Sequence, residues 1–282
     1  MLTSVSASLL LRIELELIMG VAPVFFIGHG APTFAIEPGV LGPQLTILGK
    51  QLSGITAVLV VSPHWQSNGV HVMTTMIPET MHDFGGFDPA LYKLKYPVIG
   101  HPQYATEAGQ MLARAGLEVS FDNRRGLDHG AWIPLMRLLP EANVPVFQVS
   151  MPVTLNTADA LRMGQALAPM RNLGVLIVGS GNLTHNLYEF RQSGAPEVDY
   201  PAEFTNWVRE AVKTNEVDRL VNYRSQAPHA ERAQPTEEHY LPLLVAIGAA
   251  SIKDETAQVI EGGITHGVLS MESYVWGMTD ES

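Results

Sequence analysis

Three apolar runs, each followed by a histidine, constrain this chain most: PVFFIGHG at 23–30, AVLVVSPHW at 57–65 and GVLIVGSGNLTHN at 174–186. A strand without polar alternation is buried on both faces, the condition of parallel strands covered by helices. Strands are expected over 24–27, 57–62, 71–75, 118–121, 144–150 and 174–179. Helical patterns fall at 103–115, 133–139, 157–171, 202–215 and 239–248, so strands and helices alternate. The tail GGITHGVLSMESYVW at 262–276 reads as a further strand at a sheet edge. With 282 residues and 46% apolar composition, the chain suits one large domain. The expected fold is α/β, a single domain over 21–282 with a central mixed sheet flanked by helices.

Composition then removes whole classes of function. The chain has 28 acidic against 17 basic residues and a net charge of −11, so it has no general attraction to nucleic acid or anionic lipid. It has no cysteine, which excludes disulfides, thiolate zinc sites, cysteine-ligated clusters and cysteine nucleophiles. Any metal must be held by nitrogen and oxygen. Residues 1–20 are expected to form a peripheral N-terminal extension. Arg12, Glu14 and Glu16 interrupt their apolar run, so neither a secretory signal nor a membrane span fits, and a cytoplasmic location is expected.

Histidines stand where these elements end or begin. His29 follows the first strand, His64 the second and His185 the third, while His239 opens the last helical pattern after Pro235 and Thr236. In open α/β sheets the carboxyl edge of the strands is where ligand crevices form. Imidazoles delivered there from separate elements satisfy the need of a metal for convergent ligands. GHG at 28–30 lacks the third glycine of a dinucleotide fingerprint, and its glycines instead let the backbone crowd an imidazole. His129, in GLDHGAW, is a candidate proton shuttle, with Asp128 capping the turn that follows. Glu238 reads as a first-turn acid favoured by the helix dipole. His82, in MHDFGGF, is placed to line a pocket, because the loop over 78–100 is long enough to act as a lid. Loops are also expected over 30–42 and 226–235. His71, His101, His229 and His266 read as surface or satisfied loop histidines.

Taken in order, FFIGHGAPT, VVSPHW, HDFGGF, YPVIGHP, GLDHGAWIPL, SGNLTHNL and EEHYLPLL resemble the 4,5-DOPA extradiol dioxygenase family over roughly 23–275. That family belongs to the class III extradiol ring-cleaving dioxygenases, related to the catalytic subunit of protocatechuate 4,5-dioxygenase. The resemblance implies a non-haem Fe(II) site that zinc also fills, with metal histidines at His29, His64, His185 and His239. In the protocatechuate relatives a glutamate, near Glu238 here, is the third ligand, and the histidine at His185 acts as acid and base. A three- or four-histidine cage and a pair of histidines with a carboxylate therefore both stay open. Of His239 and Glu238, His239 is the expected ligand.

The activity so implied is insertion of dioxygen into a catechol, L-DOPA or a related aromatic diol, to give a muconic semialdehyde. His129 and His185 would carry the protons, and the partners are a small-molecule catechol and dioxygen. A zinc hydrolase is the main rival, since zinc takes the same histidines. A non-enzymatic metal-binding protein of the Memo type is the other, although such a module has no need of proton shuttles.

Overall fold

Every residue of VFFIG and of VLIVGSG is buried, as are the first seven of AVLVVSPHWQS. These segments form neighbouring strands of one sheet. The structure, a computed structural model, describes residues 21–191, 198–251 and 255–278. The proposed extension over 1–20 lies outside them. The strands are β1 (Val24–Gly28), β2 (Ala57–Ser67), β3 (Val70–Met73), β4 (Val119–Asp122), β5 (Val146–Pro152), β6 (Val175–Gly181), β7 (Gln258–Ile260), β8 (Ile264–Thr265), β9 (Leu269–Ser270) and β10 (Ser273–Trp276). The helices are α1 (Leu41–Gln51), α2 (Pro102–Arg114), α3 (His129–Leu138), α4 (Thr157–Leu167), α5 (Asp199–Lys213), α6 (Val217–Val221), α7 (Tyr223–Gln226), α8 (Ala230–Ala233) and α9 (Leu241–Ala250).

The main sheet has eight strands in the order β4-β3-β5-β2-β6-β1-β10-β7, with β8 and β9 forming a separate hairpin. Its centre, β5-β2-β6-β1, is parallel, while β3 runs antiparallel to β5 and β10 antiparallel to β1. The sheet is thus mixed, within one α/β domain. Among the described residues no helix is long and apolar enough to cross a membrane.

Helix α9 is buried along its whole length, as befits a helix apolar all round. It packs on β6 and β1 and against α4. A Cβ on Gly248 would stand 2.1 Å from the Leu161 carbonyl oxygen, and one on Gly164 would stand 2.0 Å from that of Val245. Reciprocal glycines thus let the two helix backbones touch.

Five elements differ from the sequence expectation. The tail strand β10 is interior, paired on both sides by β1 and β7. Its four buried residues need cover that an edge would not provide. Helix α1 begins inside a stretch expected to be loop, and α8 lies within another. Helix α3 starts at His129, earlier than expected, because the Asp128 side chain accepts a hydrogen bond from the Ala131 N–H and caps it. Helix α9 starts at Leu241, leaving His239 on the turn before it.

Candidate metal centre

Parallel pairing of β2, β6 and β1 sets three carboxyl ends side by side. His29 follows β1 directly. His64 sits in β2 itself, at an irregularity: β2 keeps register with β5 up to Val61 opposite Val149, then resumes at Gln66 opposite Met151. The extra residues on β2 bulge out of the ladder and re-aim the chain carrying His64. Pro63, which has no N–H to offer the ladder, suits that break. His239 is held against the end of β6, where its carbonyl accepts the Asn182 N–H at 2.9 Å. A Cβ on Gly181 would stand 2.2 Å from that carbonyl oxygen, so only glycine admits the approach.

Hydrogen bonds decide which ring nitrogens face inward. The Ser180 hydroxyl donates to the Gly130 carbonyl, so its oxygen accepts from His29 Nδ1 at 2.9 Å. His29 Nε2 therefore carries a lone pair and stands 3.2 Å from His64 Nε2. His239 Nδ1 donates to the Glu238 carboxylate at 3.1 Å, and its Nε2 is buried without a hydrogen-bond partner. A buried acceptor left unmatched is costly unless something else fills its need.

A metal ion fits that need. Rings bound next to one another on one ion stand about 4.6–5.6 Å apart centre to centre, given metal–nitrogen bonds of about 2.1 Å and angles of about 90–120° at the ion. The centres of His29, His64 and His239 are 5.1, 5.1 and 5.4 Å apart. His129 instead packs on His64 at 3.9 Å, and His185 lies flat on His239 at 3.4 Å with 10° between planes. Those two spacings are too short for neighbouring ligands of one ion. By donor-atom proximity alone, the cluster divides into His29, His64 and His129 on one side and His185, Glu238 and His239 on the other. All five expected histidines and Glu238 thus converge on one place.

Electrostatics keeps the imidazoles neutral. Burial, reinforced by the neighbouring histidines, holds His29 and His239 far below the ordinary value of 6.5. His64 is pushed down to about 4 by burial and by His129. His185 also falls to about 4, through burial partly offset by the charge of Glu238. Neutral imidazole is the form that binds metal or accepts a proton.

Behind the rings lie partners that local sequence did not disclose. Asp83, from the long loop, accepts the His129 backbone N–H at 2.8 Å and faces its Nδ1 at 3.1 Å. Burial raises the cost of ionising Asp83, but its hydrogen bonds and charge interaction with His129 outweigh that and hold the carboxyl below its usual value. Asp128 caps α3 as expected and does more. It accepts from Ser62 Oγ at 2.8 Å, Gln148 Nε2 at 2.9 Å and Arg125 at 3.1 Å, while the same guanidinium donates to the His64 carbonyl at 3.2 Å. The His64 and His129 segments are thereby tied together. Ser180 orients His29, a role that nothing in the local sequence marks. The one available signal for Asp83 was its place in the long loop beside His82.

The remaining histidines are satisfied elsewhere. His82, expected at a pocket wall, instead pairs its Nε2 with the Leu94 carbonyl at 3.0 Å. His101 Nδ1 caps α2, His229 pairs with Glu203, and His266 bridges Thr33 and the Arg191 carbonyl. Asn182, which opens a formal glycosylation sequon, is buried between the Gly30 N–H and the Ser270 carbonyl.

The histidines open into a pocket of about 400 Å³ whose walls include Pro32, Phe84, Phe87, Leu187, Phe190 and Leu269. At its rim Gly30 has a φ of +62°, which favours glycine, and a Cβ there would meet the Met271 side chain rather than the imidazole the sequence suggested.

The chain is similar to known proteins in sequence and in fold. The chain is 36% identical over 261 residues to the 4,5-DOPA dioxygenase extradiol of Beta vulgaris, covering 90% of this chain and 96% of that protein. It is 36% identical over 259 residues to the protein of the same name from Escherichia coli K12, covering 89% and 93%. Among solved structures, an uncharacterised Escherichia coli K12 protein superposes with a TM-score of 0.76 at 30% identity, covering 90% of this chain and 99% of that one. Residues 47–274 match the catalytic LigB subunit of aromatic ring-opening dioxygenase. With that match spanning most of the chain, the protein belongs to the LigB family and is an enzyme of the extradiol dioxygenase class.

Proposed function

We propose that the protein is an Fe(II)-dependent extradiol dioxygenase that opens the ring of a catechol, L-DOPA or a related aromatic diol, to a muconic semialdehyde. The observation that carries this reading is the convergence of the His29 and His64 Nε2 atoms, 3.2 Å apart, beside the buried, unpartnered Nε2 of His239. These three histidines would hold the metal, and zinc would take the same donors. Bound there, Fe(II) supplies open coordination positions where a diol and dioxygen meet. We further take 21–282 as one catalytic domain, acting in the cytoplasm, as the sequence suggests.

The protein's own groups supply the rest. Asp83 accepts a hydrogen bond from His129 Nδ1–H, so His129 Nε2 is left as the base that takes a proton from the diol. His185, first expected to be both ligand and acid–base group, is given the second role because its ring lies flat on His239. Neutral at rest, it would take the second hydroxyl proton of the diol and give that proton back as the ring opens. Phe84, Phe87 and Leu269 line the pocket, where they would exclude water and bracket the aromatic ring.

The test is turnover of the iron-loaded protein with L-DOPA, protocatechuate and catechol under oxygen. Yellow semialdehyde and stoichiometric oxygen uptake are expected with at least one. No colour and no uptake with any of them, together with ester or amide hydrolysis by the zinc form, would replace this reading with the hydrolase.

A further inference from the structure

Three stretches of chain build the outer half of the pocket: Gly30 to Pro32 after β1, Leu187 and Phe190 after β6, and Leu269 on β9. Phe190 is 39% exposed and Leu187 56%, so core packing alone does not fix that side. The strand β9 is fixed from behind, where Thr184 Oγ1 donates to the Val268 carbonyl at 2.7 Å and accepts the Ser270 N–H at 2.9 Å. The β8–β9 hairpin turns through His266 and Gly267, with φ of +50° and +72°, the left-handed pair that a tight hairpin turn uses.

The His266 ring reaches from that turn to both other stretches. A carbonyl can only accept, so His266 Nδ1 donates to the Arg191 carbonyl at 3.2 Å, and Nε2 is left to accept from the Thr33 hydroxyl at 3.2 Å. The Arg191 N–H returns a bond to the His266 carbonyl at 3.1 Å. The ring face lies on Phe190, 4.4 Å centre to centre and 18° from parallel. One imidazole thus joins the Pro32 and Phe190 sides of the pocket to the hairpin that carries Leu269.

On the reading proposed above, on which this inference rests, the diol enters between those walls. Walls that are already ordered spare the ligand the entropic cost of ordering them. We propose that His266 is a positioning residue for substrate binding, clasping the Pro32 and Phe190 walls in the arrangement that receives the ring. His266 does not itself line the pocket, so it acts on affinity and leaves the chemical step alone.

His266→Asn tests this, because asparagine accepts a positive φ but is too short for Thr33 and has no ring face for Phe190. With the iron-loaded enzyme and L-DOPA, KM should rise about 5–10-fold, the scale of one or two net hydrogen bonds, with kcat within about twofold and metal content unchanged. Thr33→Val, which removes the hydroxyl and keeps the shape, should raise KM about 3-fold. Added to His266→Asn it should raise KM no further, since the bond it removes is already gone. A residue serving only general stability would lower Tm, leave KM in place and show no such coupling. Calorimetric titration of the zinc-loaded proteins with L-DOPA should give the same order of Kd without turnover. Wild-type KM and Kd in both variants, or a loss confined to kcat, would overturn the proposal; if His266→Asn does not fold, Thr33→Val decides alone. If the wild type opens no diol, the dioxygenase reading fails and the Kd series still decides this one, with no L-DOPA binding to the wild type counting against it.

Discussion

The carboxylate of Asp83 holds His129 at two points, the backbone N–H at 2.8 Å and ring Nδ1 at 3.1 Å. That double hold sets ring direction and tautomer together. In Asp83→Asn the amide oxygen can keep the backbone bond, but the amide N–H₂ then faces Nδ1 and drives the ring proton to Nε2. We expect kcat to fall by about 10²-fold, within the range of acid–base catalysis, with metal content unchanged. Wild-type kcat in this variant would show that the pair has no part in turnover.

Glu238 and His239 divide a related task, since the carboxylate accepts a hydrogen bond from His239 Nδ1–H. His239→Ala should abolish metal retention. Glu238→Gln should weaken it by about 10–100-fold, the usual cost of losing a carboxylate that orients a ligand histidine. Metal analysis after dialysis checks both, and loss in Glu238→Gln alone would make the glutamate the ligand.

Gly130 tests how tightly the cluster is packed. A Cβ there would meet Ser62 Oγ at 2.4 Å and His64 Cδ2 at 3.0 Å. Gly130→Ala should cost about 1–3 kcal/mol in denaturant unfolding, as overpacking does, and should loosen metal binding by displacing His64. A variant with unaltered stability and metal affinity would mean that the region yields easily.

The neutral histidines give the metal-free protein an acid-sensitive fold. His64 and His185 titrate near 4 when folded, against 6.5 when exposed. Between those values the unfolded chain binds protons that the folded one does not, so stability rises with pH across the window. Stability due to these groups is therefore level above 6.5, declines as pH falls toward 4, and is level again below. Each contributes a slope of about 1.4 kcal/mol per pH unit. Urea unfolding with chelator present at pH 7 and pH 5 measures it, and equal stabilities would refute the neutral cluster.

What the chain's own pattern determined is the layered sheet and the place of its chemistry. Runs such as VFFIG and VLIVG are legible because a strand buried on both faces must be apolar at every position, whatever its neighbours. The histidines that follow them fall at the carboxyl edge for the same local reason. Tertiary structure decided the rest. The β2 irregularity that aims His64 arises only when β2 pairs with β5, and the interior place of β10 depends on β1 and β7 both lying beside it. Asp83 reaches His129 across 46 positions, and Ser180 reaches His29 across 151. Burial is written into residue type one position at a time, whereas a hydrogen-bond partner is chosen by proximity, which exists only once the chain has folded.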